Sequence, residues 1–191
     1  MIDIHSHILP NVDDGSSSLK SSIQLIKNEV EIGVSKIILT PHYKTDSFLT
    51  EVSKIKNEFE ILKEEVKKEN INIELYLGQE IYVSENTFDL LKDGKVLTLN
   101  DTNVVLIEFN YFTEIDILDC VCNFVALGYR PIIAHIERYA KVKGYKKLLK
   151  LIADGYAIAH VNAGGVISKE SARVCEKLEK FLKYTVHILY S

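Results

Sequence analysis

His5 and His7 stand two residues apart at the end of the run Met-Ile-Asp-Ile-His-Ser-His, just before a turn. In an extended strand, residues i and i+2 face the same side, so both imidazoles can reach one metal ion from the strand's end. The stretch that follows, Asn11-Val12-Asp13-Asp14-Gly15, adds carboxylates beside them. A lone His-x-His is weak evidence for a metal site. Here the same polar intrusion recurs at the ends of later apolar runs: His42 after Thr40-Pro41, Glu80 in Gly78-Gln79-Glu80, Glu108 in Leu106-Ile107-Glu108-Phe109, His135 before Ile136-Glu137-Arg138, and His160 before Val161-Asn162.

Each of these residues also has a bland reading. A single strand-end histidine such as His42 or His135 is commonly a hydrogen-bonded structural residue. Glu80 and Glu108 resist that reading, because an ionised carboxylate among apolar residues is costly unless paired or metal-bound. Glu137 reads as structural, as does His187. His160 shares a strand face with Asn162 and is open to either reading. Together, His5, His7, Asp14, His42, Glu80, Glu108 and His135 offer nitrogen and oxygen ligands without thiolates, a set that suits Mn, Fe or Zn better than Mg. Seven ligands exceed the needs of one ion, so two or three ions with a bridging carboxylate are expected. Such a cluster generates hydroxide near neutral pH and stabilises the attacking and leaving oxygens of phosphoryl transfer. Arg138, three residues beyond His135, is placed to grip a phosphate oxygen. It is one of only three arginines, with Arg130 and Arg173, among 23 basic residues.

The elements that must position these groups are short apolar runs alternating with amphipathic helices. Strands are expected at residues 1–7, 36–41, 73–82, 104–109, 131–136, 156–162 and 185–191. Val52, Ile55, Phe59, Leu62 and Val66 draw one apolar stripe at helical spacing. Ile23, Ile26 and Val30 mark an earlier helix, with Ser16–Ser18 as cap candidates. Leu118, Val121 and Val125 mark a third ending at Gly128; Leu148, Leu149 and Ile152 a fourth ending near Gly155; Val174, Leu178 and Phe181 a last. Nearly all-apolar strands separated by helices imply a parallel sheet buried on both faces. Seven such strands suit a small or irregular β/α barrel, a single domain over residues 1–191, in which chemistry gathers at the C-terminal strand ends. No Gly-rich phosphate fingerprint follows the first strand, which counts against a dinucleotide-binding fold.

Composition narrows the class. At 191 residues, with 47% hydrophobic and 26% charged residues, the chain reads as one globular domain. A net charge of −4 argues against nucleic acid as the main partner. Cys120, Cys122 and Cys175 make neither a zinc-type pair nor a disulfide framework. None is followed six residues later by Arg, so the Cys-x5-Arg phosphate loop is absent; Cys120 and Cys122 read as packing residues of a helix. No run approaches about 18 apolar residues and no signal-type start is seen, so a reduced, cytoplasmic protein without membrane insertion is expected.

The stretches MIDIHSHILPNVDDGS, IILTPHY, YLGQEIY, VLIEF and PIIAHIERY together resemble the polymerase and histidinol phosphatase (PHP) superfamily. More closely, they resemble its capsule-type branch, the CpsB-like manganese-dependent bacterial protein-tyrosine phosphatases. The resemblance implies a distorted seven-stranded, TIM-like parallel β/α barrel with three metal ions. His5, His7, Asp14, His42, Glu80, Glu108 and His135 would be ligands, Glu80 bridging two ions, and Arg138 would bind phosphate. It further implies Mn2+ as cofactor and the phosphorylated tail of a cognate tyrosine kinase as substrate. Control of capsule or exopolysaccharide synthesis and a homo-oligomer follow from the same likeness. Family members continue past the seventh strand with an Asp-x-His pair and a closing helical segment, whereas this sequence stops at Ile188-Leu189-Tyr190-Ser191. A C-terminally short barrel without that closing segment is therefore expected, with the position of Glu80, Glu108 and His135 best preserved.

Three alternatives accompany this reading. One is a weakly active or inactive remnant that binds metal or a kinase tail. Another is a different PHP phosphoesterase, acting on a small molecule. The third is an amidohydrolase barrel, which also begins with His-x-His but normally needs a Lys at the fourth strand's end, where this chain has Glu108.

Overall fold

The computed structural model describes residues 1–110, 116–139, 144–162 and, for the backbone, 188–190. The chain forms two compact units, Met1–Thr102 and Asn103–Ser191, both built of parallel strands and helices. The first unit contains β1 (Ile2–Ser6), α1 (Leu19–Glu31), β2 (Lys36–Leu39), β3 (His42–Tyr43), α2 (Val52–Lys68), β4 (Glu74–Leu77), β5 (Glu80–Tyr82) and α3 (Thr87–Lys92). In it β2 pairs with both β1 and β4, and β3 pairs with β5, all parallel. The second unit contains β6 (Val104–Glu108), α4 (Ile117–Ala126), β7 (Arg130–Ile133), α5 (Tyr145–Ala153), β8 (Ile158–Val161) and β9 (Ile188–Tyr190). Its strands pair in parallel in the order β6, β7, β8, β9.

The apolar spacing that marks α2 becomes its buried face. Ile55, Phe59, Leu62 and Val66 pack with Ile23 and Ile26 of α1, Ile37 and Leu39 of β2, and Leu9 and Val12 of the loop after β1. Ser18 caps α1, its Oγ accepting the Ser21 N–H at 3.2 Å, which satisfies one of the amides a helix start leaves open. Gly128 and Gly155 follow α4 and α5 with φ of +86° and +82°, the left-handed geometry that lets a chain leave a helix without a Cβ clash.

The strand expected at 36–41 ends at Leu39, ahead of Pro41, which has no N–H for a ladder, and β3 follows from His42. The strand expected at 73–82 is split into β4 and β5, broken at Gly78-Gln79. A Cβ on Gly78 would lie 2.4 Å from Leu99 Cδ2 and 3.2 Å from Leu99 Cα, so any side chain there would force Leu99 to shift. The two breaks coincide: the Gly78 N–H donates to Leu39 O at 2.8 Å and the Glu80 N–H to Pro41 O at 3.1 Å. β4 is not buried on both faces as a parallel strand was expected to be. Glu74 is exposed and accepts from Tyr76 Oη at 2.6 Å, and it pairs with Lys36 at 2.9 Å.

The expected strand at 131–136 ends at Ile133. His135 takes φ +37° and a short 3-10 turn, Ile136–Tyr139, follows, so strand alternation does not govern Glu137. Cys120 is buried but Cys122 is exposed, because two residues along a helix subtend about 200°; only Cys120 packs. The helix expected around Val174, Leu178 and Phe181, together with Arg173, Cys175 and His187, lies outside the described residues.

Candidate metal centre

In the first unit the end of β1 is reshaped before the site is reached. Its register against β2 shifts between Asp3 and Ser6. Asp3 Oδ1 takes the His5 N–H at 3.1 Å, and Ser6, between the two histidines, is bound by Thr40. The Ser6 N–H donates to Thr40 Oγ1 at 3.0 Å, and the Thr40 N–H donates back to Ser6 O at 2.9 Å. Thr40 is fully buried, and it immediately precedes Pro41 and His42. This cross-link sets His5 and His7 against His42.

Glu80 supplies the opposite side. It stands opposite His42 in the β3–β5 pairing and is 1% exposed. Gln79 beside it is anchored by accepting the Leu97 N–H at 2.9 Å. A single oxygen, Glu80 Oε2, lies 3.0 Å from His5 Nε2, 3.3 Å from His7 Nε2 and 3.0 Å from His42 Nδ1. The Nε2 atoms of His5 and His7 are themselves only 3.3 Å apart. Ring nitrogens converging on each other and on one buried carboxylate oxygen form the donor set a divalent cation takes up. Asp14 lies on the solvent side, 3.9 Å from His42 Nε2, and groups with His7 and His42 as potential ligands.

The loop of residues 11–16 wraps this cluster. Ser16 N–H donates to His7 O at 3.0 Å, and a Cβ on Gly15 would lie 2.1 Å from that same oxygen, so only glycine fits. Thr50 Oγ1 donates to Val12 O at 2.7 Å. Asp13 is the residue that sequence reasoning missed. Its side chain is wholly buried and lies 2.8 Å from His7 Nδ1, while its carboxylate also accepts the N–H groups of His42 at 2.9 Å and Gly15 at 3.0 Å. Burial works against ionising Asp13, but the bonds from His7, His42 and Gly15 prevail and hold its pKa below the ordinary value. Burial likewise works against charging His7, yet Asp13 and Glu80 outweigh it and raise its pKa to about 10. Phe48 stacks on the His42 ring, centroids 5.7 Å apart. The only sequence signal for Asp13 was its place beside Asp14.

In the second unit Glu108 closes β6 and His135 follows β7. His135 Nε2 lies 3.3 Å from Glu108 Oε1, with both side chains largely buried. The half-exposed Arg138 Nη1 lies 3.4 Å from the same oxygen. Tyr139 fixes the turn: its Oη accepts the Phe109 N–H at 3.0 Å and donates to Phe109 O at 3.1 Å. His160 is fully buried, and its Nδ1 accepts the His135 main-chain N–H at 3.2 Å.

Thus His5, His7, Asp14, His42 and Glu80 come together in the first unit, and Glu108, His135 and Arg138 in the second. Among the described residues, no helix is long and apolar enough to cross a membrane.

The family described as capsular polysaccharide synthesis, CpsB/CapC, matches residues 1–190. The tyrosine-protein phosphatase CpsB of Streptococcus agalactiae serotype III is 34% identical over 171 residues, 89% of this chain and 70% of that protein. The tyrosine-protein phosphatase YwqE of Bacillus subtilis is 32% identical over 178 residues, 89% of this chain and 68% of that protein. A solved structure of the metal-dependent tyrosine phosphatases YwqE from Bacillus subtilis and CpsB from Streptococcus pneumoniae superposes with a TM-score of 0.86 at 29% identity, covering 100% of this chain and 78% of that one. With its histidine-carboxylate cluster and a match running from the first residue to the last strand, this chain belongs to the CpsB/CapC family of capsular polysaccharide synthesis.

Proposed function

We propose that this chain is a metal-dependent protein-tyrosine phosphatase. The observation that carries the reading is Glu80 Oε2, one buried oxygen within 3.3 Å of the ring nitrogens of His5, His7 and His42. The relatives' activity as tyrosine-protein phosphatases supports it. His5, His7, Asp14, His42, Glu80, Glu108 and His135 are assigned as ligands of two or three ions, Mn2+ first, with Fe and Zn as the other ions this donor set accepts. When bound, such ions supply a nucleophile at neutral pH and offset charge on the phosphoryl oxygens.

The chain's own residues supply the rest. Asp13 holds His7 through Nδ1 and keeps Nε2 turned to Glu80. Arg138, half-exposed beside Glu108, grips a phosphate oxygen. A phosphotyrosine tail of a cognate bacterial tyrosine kinase is the proposed substrate, in the cytoplasm, with control of capsular or extracellular polysaccharide as the outcome. A single domain over 1–191 with the distorted seven-stranded barrel of the PHP type, and a homo-oligomeric assembly, belong to the same proposal.

The test is hydrolysis of a phosphotyrosine peptide with Mn2+ present and after chelation, with metal content measured on the same sample. Turnover that chelation abolishes, and that Glu80→Gln and His135→Ala remove, is expected. Turnover indifferent to the chelator and to both substitutions would sink the assignment.

A further inference from the structure

We propose that His160 is the positioning residue of the ligand His135, acting through that residue's backbone; the inference rests on the ligand assignment above. In β7 the N–H groups alternate between the two neighbouring strands. The Ala134 N–H donates to Ile107 O of β6 at 2.9 Å, so the next N–H, that of His135, turns toward β8. The parallel register there runs Ile132 to Ile158 and Ile133 to Ala159 and then stops. In place of a strand carbonyl, the side chain of His160 takes the His135 N–H, through Nδ1 at 3.2 Å.

This bond coincides with the point of greatest backbone strain in the segment. His135 has φ +37°, a left-handed conformation that is unfavourable for a side-chain-bearing residue and persists only where surroundings enforce it. Tyr139 Oη, bonded to Phe109, pins one side of the turn; His160 pins the other. With the turn so held, the imidazole of His135 leaves the strand path and presents Nε2 to Glu108 Oε1 at 3.3 Å. The accepting Nδ1 carries no proton, so the neutral ring has its hydrogen on Nε2. Its Nδ1 lone pair is committed to His135, which assigns that atom to support of a ligand and not to ligation.

A buried acceptor is thus needed two bonds from Cβ, and Asn offers one through Oδ1 while Leu offers none. Gln places its carbonyl one methylene too far. The test is Mn2+ titration by calorimetry of the full chain as wild type, His135→Ala, His160→Leu, His160→Asn and His160→Gln, with circular dichroism confirming fold. His160→Leu is expected to weaken the same Mn2+ site as His135→Ala, by about 10–100-fold as for outer residues that orient metal ligands. His160→Asn is expected to restore it. A merely structural histidine lowers stability in each variant without separating Asn from Leu in metal affinity.

Wild-type affinity in His160→Leu, or equal weakness in His160→Asn, overturns the inference while leaving the ligand assignment standing. Should His160→Leu fail to fold, the Asn and Gln variants decide: tighter binding by Asn supports the inference and equal binding refutes it. A wild-type chain that takes up no Mn2+ fails at the ligand assignment, and the inference falls with it.

Discussion

Asp13 Oδ2 lies 2.8 Å from His7 Nδ1, and this wholly buried carboxylate also receives the His42 main-chain N–H at 2.9 Å. One side chain therefore fixes the ring of one proposed ligand and the backbone of another. Asp13→Ala is expected to weaken Mn2+ binding by about 10–100-fold, read by titration of the folded protein. Wild-type affinity in that variant would remove Asp13 from the support of the centre.

Thr40 tests the frame beneath the site. Its hydroxyl accepts the buried Ser6 N–H at 3.0 Å where the β1–β2 register slips. Thr40→Val keeps the volume but leaves that N–H without its acceptor, a loss of about 1–3 kcal/mol. Urea unfolding of the valine and serine variants measures it. Serine, which retains the hydroxyl, is expected to keep most of the stability, and equal losses in both would show that the methyl group, not the hydrogen bond, matters.

His7 makes the metal-free fold sensitive to alkaline pH. Its pKa rises from the ordinary 6.5 to about 10 because Asp13 and Glu80 outweigh burial. A folded-state pKa above the unfolded one stabilises fully below the unfolded value and loses its contribution as pH climbs through the folded one. The urea midpoint of the metal-free chain should therefore fall between pH 6.5 and about 10, and His7→Asn should flatten that part of the profile. A metal ion competes for the same ring, so Mn2+ uptake at mildly alkaline pH releases a proton, readable by pH-stat titration. A flat profile in the wild type would show that His7 is not held protonated.

Much of this site is legible along one dimension and some of it is not. His5 and His7 announce themselves by strand spacing, and Glu80 and Glu108 by the cost of a carboxylate in an apolar run. The role of Asp13 depends on how the loop closes over His7, and the Ser6–Thr40 link on a register slip between strands 34 residues apart. Neither leaves a local pattern. The two-residue β3 and six-residue α3 are too short for periodicity to register. The turn at His135 was hidden because Ile136, which leaves the strand, is itself fully buried, so the apolar run continues unbroken in sequence.

Cys120 and Cys122 allow a check on the class of chemistry. Burial pushes the Cys120 thiol up to about 12, so little thiolate exists to react, while Cys122 is exposed on the other side of α4. Iodoacetamide at mildly alkaline pH is expected to modify Cys122 and spare Cys120 in the native chain, as read by tandem mass spectrometry. Phosphotyrosine hydrolysis should survive that modification and be lost on chelation, because the proposed chemistry uses imidazole and carboxylate ligands and no thiolate. The reverse pattern, activity lost with the thiol and kept without metal, would transfer the reaction to cysteine and leave the Glu80 cluster a structural knot of hydrogen bonds.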